Sequence, residues 1–479
     1  MTDIRFGTDG WRGIIAEDVT FGNVRLAARG IARVVRAEAG GQASPHLLVG
    51  HDTRFLSREF AQAAALAMAA EGVRVSLAST FAPTPAISYA VVRLRAAGAL
   101  IVTASHNPPE YSGIKFKSRF GGSAPIAFTR DVEEEIRRLQ AEPPNFQFPI
   151  SDFQLGSFDP RDPWLDRLAE LVDVARIGRS GIRIALDVMY GAGQGLLVGR
   201  LRKAGSTVRE LHGEINPGFC GLHPEPIPVH LGALIDLVKH WEGPEPKAGF
   251  AFDGDADRLA PVDEEGNVLS PHQTLALLLR HLVRNRRERG TVVKSVNIGH
   301  MVDAEAEALG LPLVVTPVGF KHVAEAMRQY DAVVGGEESG GFAVRGHIPE
   351  RDGALIGLLL LECMAMTGKS LGALVREMEA EHGPHRYGRL DLRLASLEER
   401  DRVVSSLAAS PPARVLSLAV GHVEAMDGVK LVRADRSWVM LRASGTEPLL
   451  RIYAEAATEG EVDALLTWGR GVALNEGGR

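Results

Sequence analysis

Short apolar runs that end in glycine-rich or polar loops, each followed by a helical pattern, recur along most of the chain. The strand-like runs cover residues 47–50, 73–78, 99–105, 182–187, 207–211, 248–252, 291–297, 312–317 and 331–336. Helical patterns cover residues 57–71, 84–95, 129–140, 191–204, 272–286, 302–309 and 320–329. This alternation predicts layered α/β domains and argues against an all-β or all-α fold.

The length of 479 residues corresponds to about three domains at roughly 150 residues each. The pattern, however, predicts four domains. Three α/β units stand in series, and a smaller α+β unit follows them, with strands near 429–433, 437–442 and 449–455. The Pro- and Asp-rich tract 141–163 lacks periodicity and is interpreted as a linker. The predicted domains span residues 1–150, 151–262, 263–375 and 376–479.

Composition narrows the class of protein. The formal net charge of −6 offers no basic surface for nucleic acid. The longest apolar stretch, 354–361, stops at Glu362 and is too short to span a bilayer, and the first residues lack an apolar signal segment. Two cysteines, Cys220 and Cys363, cannot build a disulfide framework or a four-thiolate metal site. We therefore expect a cytoplasmic protein with a small-molecule partner.

Residues 103–108 (TASHNP), here called the serine loop, follow an apolar strand. The loop end of such a strand is where α/β proteins bind ligands, so Ser105 is a candidate nucleophile for a phosphoryl or acyl group. His106 is a candidate functional histidine because of the same position. There is no Gly-x-Ser-x-Gly elbow, which disfavours the usual hydrolase template. The alternative is a plain turn in which Asn107 and Pro108 end the strand.

Residues 253–258 (DGDADR), the aspartate loop, carry Asp253, Asp255 and Asp257 after a strand. Three carboxylates in a tight loop can converge on one hard cation, and Mg²⁺ prefers such oxygen ligands. Without a cation they would repel and raise one another's pKa. The calcium helix-loop-helix pattern does not fit. The alternative is a solvated acidic turn.

Two further loops carry polar side chains suited to a sugar phosphate. Residues 335–341 (GGEESGG), the hydroxyl loop, offer Glu337 as an acceptor and Ser339 as a donor for hydroxyl groups. Residues 442–448 (RASGTEP), the phosphate loop, form a plausible phosphate cradle with Arg451 beyond it. The alternatives are a common glycine turn and an ordinary loop between two strands.

Three cationic residues are further candidates for contact with a phosphate or for proton transfer. Lys115 and Lys117 share one face of the predicted strand GIKFK and could supply positive charge or take part in proton transfer. The alternative for this pair is two solvated side chains. Arg12 lies in a glycine-rich N-terminal segment and could reach a phosphate.

Taken in order, these loops resemble those of the α-D-phosphohexomutase family. The resemblance runs from RFGTDGWRG through TASHNPPEYSGIKF, DGDADR and GGEESGG to RASGTEP, and so covers the whole chain. It implies four domains arranged like a heart around a central cleft. It also implies an isomerase, and the closest branch by these motifs is that of the phosphoglucomutases.

The resemblance implies a role for each motif residue. Ser105 matches the phosphoserine, whose oxygen completes an Mg²⁺ site with Asp253, Asp255 and Asp257. Glu337 and Ser339 match the pair that binds ring hydroxyls. The phosphate loop matches the group that holds the phosphate not being transferred, through Arg442, Ser444, Gly445 and Thr446. Lys115 matches a lysine near the transferred group, and the residues expected to line the same cleft are Arg12, Arg258 and Lys321.

The implied reaction interconverts hexose 1-phosphate and hexose 6-phosphate, with hexose 1,6-bisphosphate as intermediate and glucose 1,6-bisphosphate as activator. Glu338, Gly341 and Ala256 favour glucose, with mannose and then glucosamine phosphates as alternatives. Many phosphomannomutases that also use glucose have a histidine where Gly341 stands here. Without it, the general acid/base stays open: Lys115 is a candidate by the resemblance, and His106, His322 or His347 could substitute for the missing histidine. No pattern identifies an interface, so we expect a monomer or a weak homo-oligomer.

Two other functions stay open at this point. A Mg²⁺-dependent sugar phosphatase would use the same acidic loop and phosphoryl acceptor, but would release free phosphate. A non-catalytic sugar-phosphate-binding protein would keep the cleft alone. Ser105 together with three aspartates argues against the binding protein, because binding does not need a nucleophile.

Overall fold

A computed structural model describes residues 4–7, 9–40, 44–141, 154–243, 246–445 and 447–474. It contains four sheets, three of them mixed and covered by helices and a fourth that is antiparallel. This confirms the predicted class of three α/β domains and a smaller C-terminal α+β domain.

The first domain is built on a six-stranded sheet of order β1-β5-β4-β2-β3-β6. Its elements are β1 (Trp11–Ile14), α1 (Phe21–Glu38), β2 (His46–His51), α2 (Ser57–Ala70), β3 (Arg74–Ala78), α3 (Thr84–Arg93), β4 (Gly98–Val102), β5 (Tyr111–Ser118), α4 (Ile126–Ala141) and β6 (Gly156–Phe158). Helix α1 begins after Thr20, whose hydroxyl accepts a hydrogen bond from the backbone N–H of Asn23.

The second domain has a four-stranded sheet of order β10-β9-β7-β8. Its elements are α5 (Asp162–Leu171), α6 (Val174–Arg179), β7 (Arg183–Asp187), α7 (Leu196–Lys203), β8 (Thr207–Leu211), α8 (Gly232–His240), β9 (Lys247–Phe252) and β10 (Leu259–Val262), with short 3₁₀ turns at Phe219–Gly221 and Pro228–His230.

The third domain has a four-stranded sheet of order β12-β11-β13-β14. Its elements are α9 (Pro271–Arg280), a π-helical turn (His281–Asn285), β11 (Val292–Ser295), α10 (Met301–Ala308), β12 (Leu313–Thr316), α11 (Phe320–Gln329), β13 (Val334–Gly336), β14 (Phe342–Val344), α12 (Gly353–Thr367) and α13 (Leu371–His382). A capping box of Ser270 and Gln273 begins α9, and Asp352 caps α12.

The three α/β domains share one strand plan. In each, a central strand (β2, β7 or β11) pairs in parallel with the next strand on one side and with the third strand on the other. A fourth strand (β5, β10 or β14) then returns antiparallel beside the third. The connection between the third and fourth strands therefore lies at the same edge of each sheet.

The fourth domain is an antiparallel sheet of order β15-β20-β19-β18-β17-β16. Its elements are β15 (Arg386–Arg393), α14 (Leu397–Ala409), β16 (Arg414–Val415), β17 (Leu418–Glu424), β18 (Val429–Arg433), β19 (Trp438–Ala443), β20 (Leu449–Ala456) and α15 (Glu459–Leu474). The apolar side chains of this sheet and its helices form a core of their own.

One apolar cluster spans the first three domains, and each of them also has a separate buried cluster of its own. Ile87 of the first domain, Phe250 of the second and Leu355 of the third belong to the same buried cluster. Residues 353–364 of α12 are all buried, which explains why residues 354–361 are apolar on every side of this helix. Shared burial fixes the three sheets relative to one another and so fixes their loop edges.

Some predicted elements differ from the observed ones. The tract 141–163 contains β6, which pairs in parallel with β3, and the start of α5; residues 142–153 lie outside the described ranges. The helix predicted over 191–204 is shorter, because residues 191–195 form turns and Gly195 has a φ of +73°. The predicted helix at 272–286 leaves α-helical geometry after Arg280.

Within the described ranges, no single helix combines the length and apolar composition needed to cross a bilayer. Helices α12 and α13 meet that test only as a pair, and the pair is bent by 81°.

Candidate active site

Three of the four predicted loops occupy the same topological position. The serine loop joins β4 to β5, the aspartate loop joins β9 to β10, and the hydroxyl loop joins β13 to β14. This is the carboxyl edge of parallel strands, where open α/β sheets bind ligands. Side-chain contacts join all three loops, as described below.

Ser105 is buried, with 1% of its surface exposed, and its backbone is left-handed with a φ of +52°. Its hydroxyl donates a hydrogen bond of 2.8 Å to Oδ2 of Asp253 in the second domain. A left-handed conformation is costly for a residue with a side chain and persists only where its surroundings hold it. Here the surroundings aim the hydroxyl at the aspartate loop.

Arg54, which the sequence analysis did not identify, holds the serine loop. Its guanidinium donates to the carbonyl oxygens of Ser105 (2.7 Å), Asn107 (2.5 Å), Pro108 (2.7 Å) and Tyr111 (2.9 Å). These bonds supply hydrogen-bond donors to carbonyl groups of an irregular backbone segment, in which the carbonyl oxygen of Pro108 also accepts from the backbone N–H of Tyr111. The only available sequence signal was the position of Arg54 just after β2, at the same edge of the sheet.

Asp253, Asp255 and Asp257 are all buried, and one carboxylate oxygen from each lies within 4.8 Å of the others. Among the described residues, Oδ1 of Asp255 and Oδ1 of Asp257 have no hydrogen-bond partner. A buried carboxylate oxygen without a partner is costly, so these atoms are suited to a cation. Three aspartates around one point fit Mg²⁺.

The other oxygens of these carboxylates are held by protein groups. Oδ2 of Asp255 accepts from Thr84 (2.6 Å) and Lys115 (2.8 Å), and Oδ2 of Asp257 accepts from Lys115 (3.0 Å) and Arg351 (2.7 Å). Such outer contacts orient ligand carboxylates toward a metal. Neither Thr84 nor Arg351 was predicted, because each lies outside the loop motifs.

The charges at this site shift several pKa values. Burial and the neighbouring carboxylates of Asp257 and Asp255 raise the pKa of Asp253 well above its ordinary value. Burial alone would lower the pKa of Lys115, but the carboxylates of Asp255 and Asp257 raise it above its ordinary value. Lys115 is therefore held as a cation close to Asp255 and Asp257, whereas Arg258 lies 4.0 Å from Asp253.

The predicted alternative of two solvated lysines is wrong. Lys115 and Lys117 are 1% and 0% exposed. Lys117 donates to Glu350 (2.6 Å), and both ammonium groups contact Asp9, at 2.9 and 3.2 Å. Buried charges must be paired, and here the pairs join the first domain to the segment that precedes α12.

His106 of the serine loop, Arg258 of the aspartate loop and Arg12 of β1 lie close to one another. Arg12 donates to the side chain of Asn107 (2.7 Å), and Nε of Arg258 is 4.0 Å from the carboxylates of Asp253 and Asp257. Burial and the positive charges of Arg258 and Arg12 hold the pKa of His106 well below its ordinary value. Positive charge thus accumulates next to Ser105.

The other two histidine candidates differ in their surroundings. Nε2 of His347 is 3.0 Å from the carboxylate of Asp352, which also caps α12, so His347 has a structural partner. His322 lies half-buried on α11, and burial lowers its pKa. Lys321, next to it, is half-buried, and burial lowers its pKa against the opposing charge of Asp9.

The hydroxyl loop is joined to the aspartate loop through one side chain. Ser339 donates to Oε1 of Glu337 (2.6 Å), and the same oxygen accepts from Arg351 (3.1 Å). Glu338 faces the fourth domain instead, 3.7 Å from Arg389 on β15. Glu337 and Ser339 therefore lie on the site side of the loop.

The phosphate loop joins β19 to β20. Arg442 pairs with Asp427 (2.9 Å), whose carboxylate also accepts from the backbone N–H of Val318 in the third domain. Ser444 is buried, and a side-chain carbon added at Gly445 would meet open space. Arg451 lies 3.9 Å from Asp391. Thr446 lies outside the described residues.

Loops of three α/β domains meet at one buried serine and three aspartates, and a fourth domain lies beside them. This arrangement defines a multidomain α/β enzyme. Models of the phosphoglucomutase/phosphomannomutase domains match the chain in order. The α/β/α domain I model matches residues 3–142, domain II residues 162–266, domain III residues 270–381, and the C-terminal domain residues 407–467.

Related proteins match over nearly the whole chain. A phosphoglucosamine mutase of Frankia alni is 34% identical over 95% of this chain and 94% of its own. A phosphoglucomutase/phosphomannomutase of Thermococcus kodakarensis is 29% identical over 95% of each. The crystal structure of a candidate phosphomannomutase from Thermus thermophilus superposes with a TM-score of 0.85 at 37% identity, covering all of both chains.

The chain belongs to the phosphoglucomutase/phosphomannomutase family of phosphohexomutases, which are isomerases. The relatives named above differ in the sugar given in their names, so membership defines the class of enzyme and leaves the sugar open.

Proposed function

We propose that this phosphohexomutase moves a phosphoryl group between O1 and O6 of a hexose phosphate through a phosphorylated Ser105, with glucose phosphate as the preferred substrate. One observation carries the proposal: the Ser105 hydroxyl lies 2.8 Å from Asp253, beside two buried carboxylate oxygens that have no hydrogen-bond partner in the described part of the chain. A nucleophile next to a cation site is what phosphoryl transfer requires.

In the proposed reaction, the bond between phosphorus and Oγ of phosphorylated Ser105 breaks as a bond to the sugar hydroxyl forms. The hydroxyl proton passes to a base, for which His106 is the candidate by position because its Nδ1 is buried without a described partner. The bisphosphate then turns end over end, and Ser105 takes back the other phosphoryl group. A magnesium ion held by Asp253, Asp255 and Asp257 would neutralise charge on the phosphoryl oxygens when bound.

The remaining predicted residues would bind the substrate. Arg442, Ser444, Gly445, Thr446 and Arg451 are proposed to hold the phosphate that is not transferred. Glu337 and Ser339 are proposed to bind ring hydroxyls, and Lys115 and Arg258 to neutralise the transferred group. The residues proposed to line the cleft between them are Arg12 and Lys321. A charged arginine and backbone N–H groups in a glycine-containing loop suit a phosphate.

The choice of glucose rests on the hydroxyl loop, where Glu338 and Gly341 follow the pattern that the resemblance associates with phosphoglucomutases. A specific observation favours glucosamine phosphate as a second candidate, because the Frankia relative at 34% identity is a phosphoglucosamine mutase. Mannose phosphate is a third, since the Thermus structure at 37% identity carries that name.

A coupled assay tests the proposal. Glucose 1-phosphate, Mg²⁺ and a trace of glucose 1,6-bisphosphate should give glucose 6-phosphate, and Ser105→Ala should abolish turnover. Parallel assays with mannose 1-phosphate and glucosamine 1-phosphate rank the sugars. Release of free phosphate without isomerisation would replace the mutase with a phosphatase, and turnover of only the amino sugar would replace glucose with glucosamine.

A further inference from the structure

The side chain of Arg351 lies where the first three domains meet. It is 4% exposed. One terminal nitrogen donates to Asp257 (2.7 Å) and contacts Asp9, the other donates to Glu337 (3.1 Å), and Nε lies 3.4 Å from Glu350. A single guanidinium thus touches a carboxylate of the cation site, a carboxylate of the hydroxyl loop and the N-terminal segment.

Arg351 also fills the room beside the backbone of Gly341. A side-chain carbon added at Gly341 would lie 2.2 Å from Cδ of Arg351 and 2.8 Å from its Cγ. Position 341 therefore cannot present a side chain to the site while Arg351 keeps this conformation. Arg351, from a different segment of the third domain, occupies the space next to Glu337.

Arg351 contacts Asp257 and Glu337 through different nitrogen atoms and binds only one oxygen of each carboxylate. Asp257 gives Oδ2 to Arg351 and Lys115, while its Oδ1 is buried without a described partner. Glu337 gives Oε1 to Arg351 and Ser339. Because guanidinium is rigid and planar, a rotation that follows one carboxylate must also move the donor to the other.

We propose that Arg351 is a positioning residue that couples the cation site to the hydroxyl loop. Filling of the cation site fixes Asp257, Asp257 fixes the guanidinium, and the guanidinium fixes Glu337 for the sugar. The inference rests on the proposed function for the identity of the sugar. The measurement of cation binding, however, does not depend on catalytic turnover. Coupling of this kind is reciprocal, so the sugar phosphate must tighten cation binding by the same factor.

The test measures Mn²⁺ binding by electron paramagnetic resonance and KM and kcat for glucose 1-phosphate, in Arg351→Gln and Arg351→Lys. We expect Arg351→Gln to weaken Mn²⁺ binding by about 10- to 100-fold, as loss of an outer-shell partner does, and to raise KM as well. Arg351→Lys keeps the charge and should recover part of the Mn²⁺ affinity. It also carries the test if the glutamine variant does not fold.

A double-mutant cycle separates coupling from simple packing. Glu337→Gln should change Mn²⁺ affinity by about threefold or more in the wild-type background, and should leave it unchanged when Arg351 is glutamine. The matched control is Arg345→Gln, which removes an arginine of the same segment that pairs with Asp331 and Glu288 outside the site. It should leave both constants unchanged.

The inference would be overturned if Arg351→Gln bound Mn²⁺ as tightly as wild type and had the same KM. It would also be overturned if Glu337→Gln still changed the Mn²⁺ affinity in the absence of Arg351. Failure of the proposed function looks different. In that case wild-type protein would not isomerise any hexose phosphate, while the Mn²⁺ measurements would still report whether Arg351 joins Asp257 to Glu337.

Discussion

Gly254 sets how closely the aspartate loop approaches the serine loop. A side-chain carbon at this position would lie 2.4 Å from the carbonyl oxygen of Ser105 and 3.5 Å from the Arg54 guanidinium. Glycine is therefore required by contact with backbone, which cannot move aside as a flexible side chain can. The distance from Ser105 to Asp253 depends on that contact.

We predict that Gly254→Ala lowers kcat at least about tenfold, which corresponds to about 1.4 kcal/mol of transition-state stabilisation. The added methyl group separates the nucleophile from the cation site. Steady-state kinetics at saturating Mg²⁺ measures the effect. The control is Gly199→Ala on α7, where nothing lies within 4 Å and alanine should stabilise the helix by about 0.5–1 kcal/mol. Unchanged kcat in Gly254→Ala would show that the close approach is not needed.

Most of the site residues that the sequence analysis identified lie within short loop motifs. Ser105, the three aspartates and Glu337 each follow a strand, so their position could be predicted from local pattern. Thr84 and Arg351 could not, because they meet Asp255 and Asp257 across 171 and 94 residues of chain. The only sign of Arg351 in the sequence is its place in a charged triplet between an apolar strand and an apolar helix.

At the scale of elements, Arg54 substitutes for regular hydrogen bonding in the chain between β4 and β5. It is buried, pairs with Asp52 at 3.2 Å and binds three carbonyl oxygens of that connection and a fourth at the first residue of β5. Phe219 of the second domain lies over its guanidinium, 5.0 Å from ring centre to Cζ. The serine loop is thereby held between two domains.

We predict that Arg54→Lys lowers kcat and reduces the free energy of unfolding by about 2 kcal/mol or more, because one ammonium group cannot reach all four carbonyl oxygens. Urea unfolding and steady-state assays measure the two effects. Arg58→Lys, at an exposed position on α2, serves as the matched control and should change neither. An Arg54→Lys variant as stable and active as wild type would refute this role.

Element predictions failed where neighbours decide the outcome. The sequence of the strand with Lys115 and Lys117 predicts, by itself, one solvent-exposed face. In the structure β5 lies between β1 and β4, and the second and third domains cover the face that carries the two lysines. Tertiary pairing likewise makes a strand of residues 156–158 in a tract without periodicity. Three glycines at 191, 193 and 195 shorten the helix predicted there, since glycine weakens helices.

At the scale of the whole molecule, the fourth domain is joined to the third through a buried polar cluster. Glu455 of β20 accepts from the backbone N–H of His300 (3.0 Å) and lies 3.0 Å from His385. Lys430 of β18 donates to the carbonyl oxygen of Val296 (3.1 Å). Alternation and loop order predicted the four domains, but not this cluster, because none of its members stands in a motif.

His272 lies in this cluster and accepts a hydrogen bond at Nδ1 from the backbone N–H of Gly299 (2.8 Å). Burial lowers its pKa from 6.5 to about 4, and protonation would remove the acceptor. Between those pH values the unfolded chain binds a proton that the folded protein does not. Stability is therefore complete above pH 6.5 and falls as the pH drops toward 4.

We predict that wild-type protein loses up to about 1.4 kcal/mol per pH unit from this one group across that window, and that His272→Asn removes this share of the slope. Asparagine keeps an oxygen acceptor but does not titrate. Urea unfolding at several pH values measures the slope. His240→Asn, at an exposed position of α8, is the control. An unchanged slope in His272→Asn would contradict the assignment.

The proposed reaction requires that Ser105 carries the phosphoryl group that passes to and from the hexose. The most direct measurement is mass spectrometry of the protein after incubation with glucose 1,6-bisphosphate and Mg²⁺, with peptide mapping of the modified site. We expect one phosphoryl group, on Ser105, that is lost when glucose 1-phosphate is added and recovered in the bisphosphate. A protein that stays unmodified while turning over substrate, or that carries the phosphate on another residue, would contradict it.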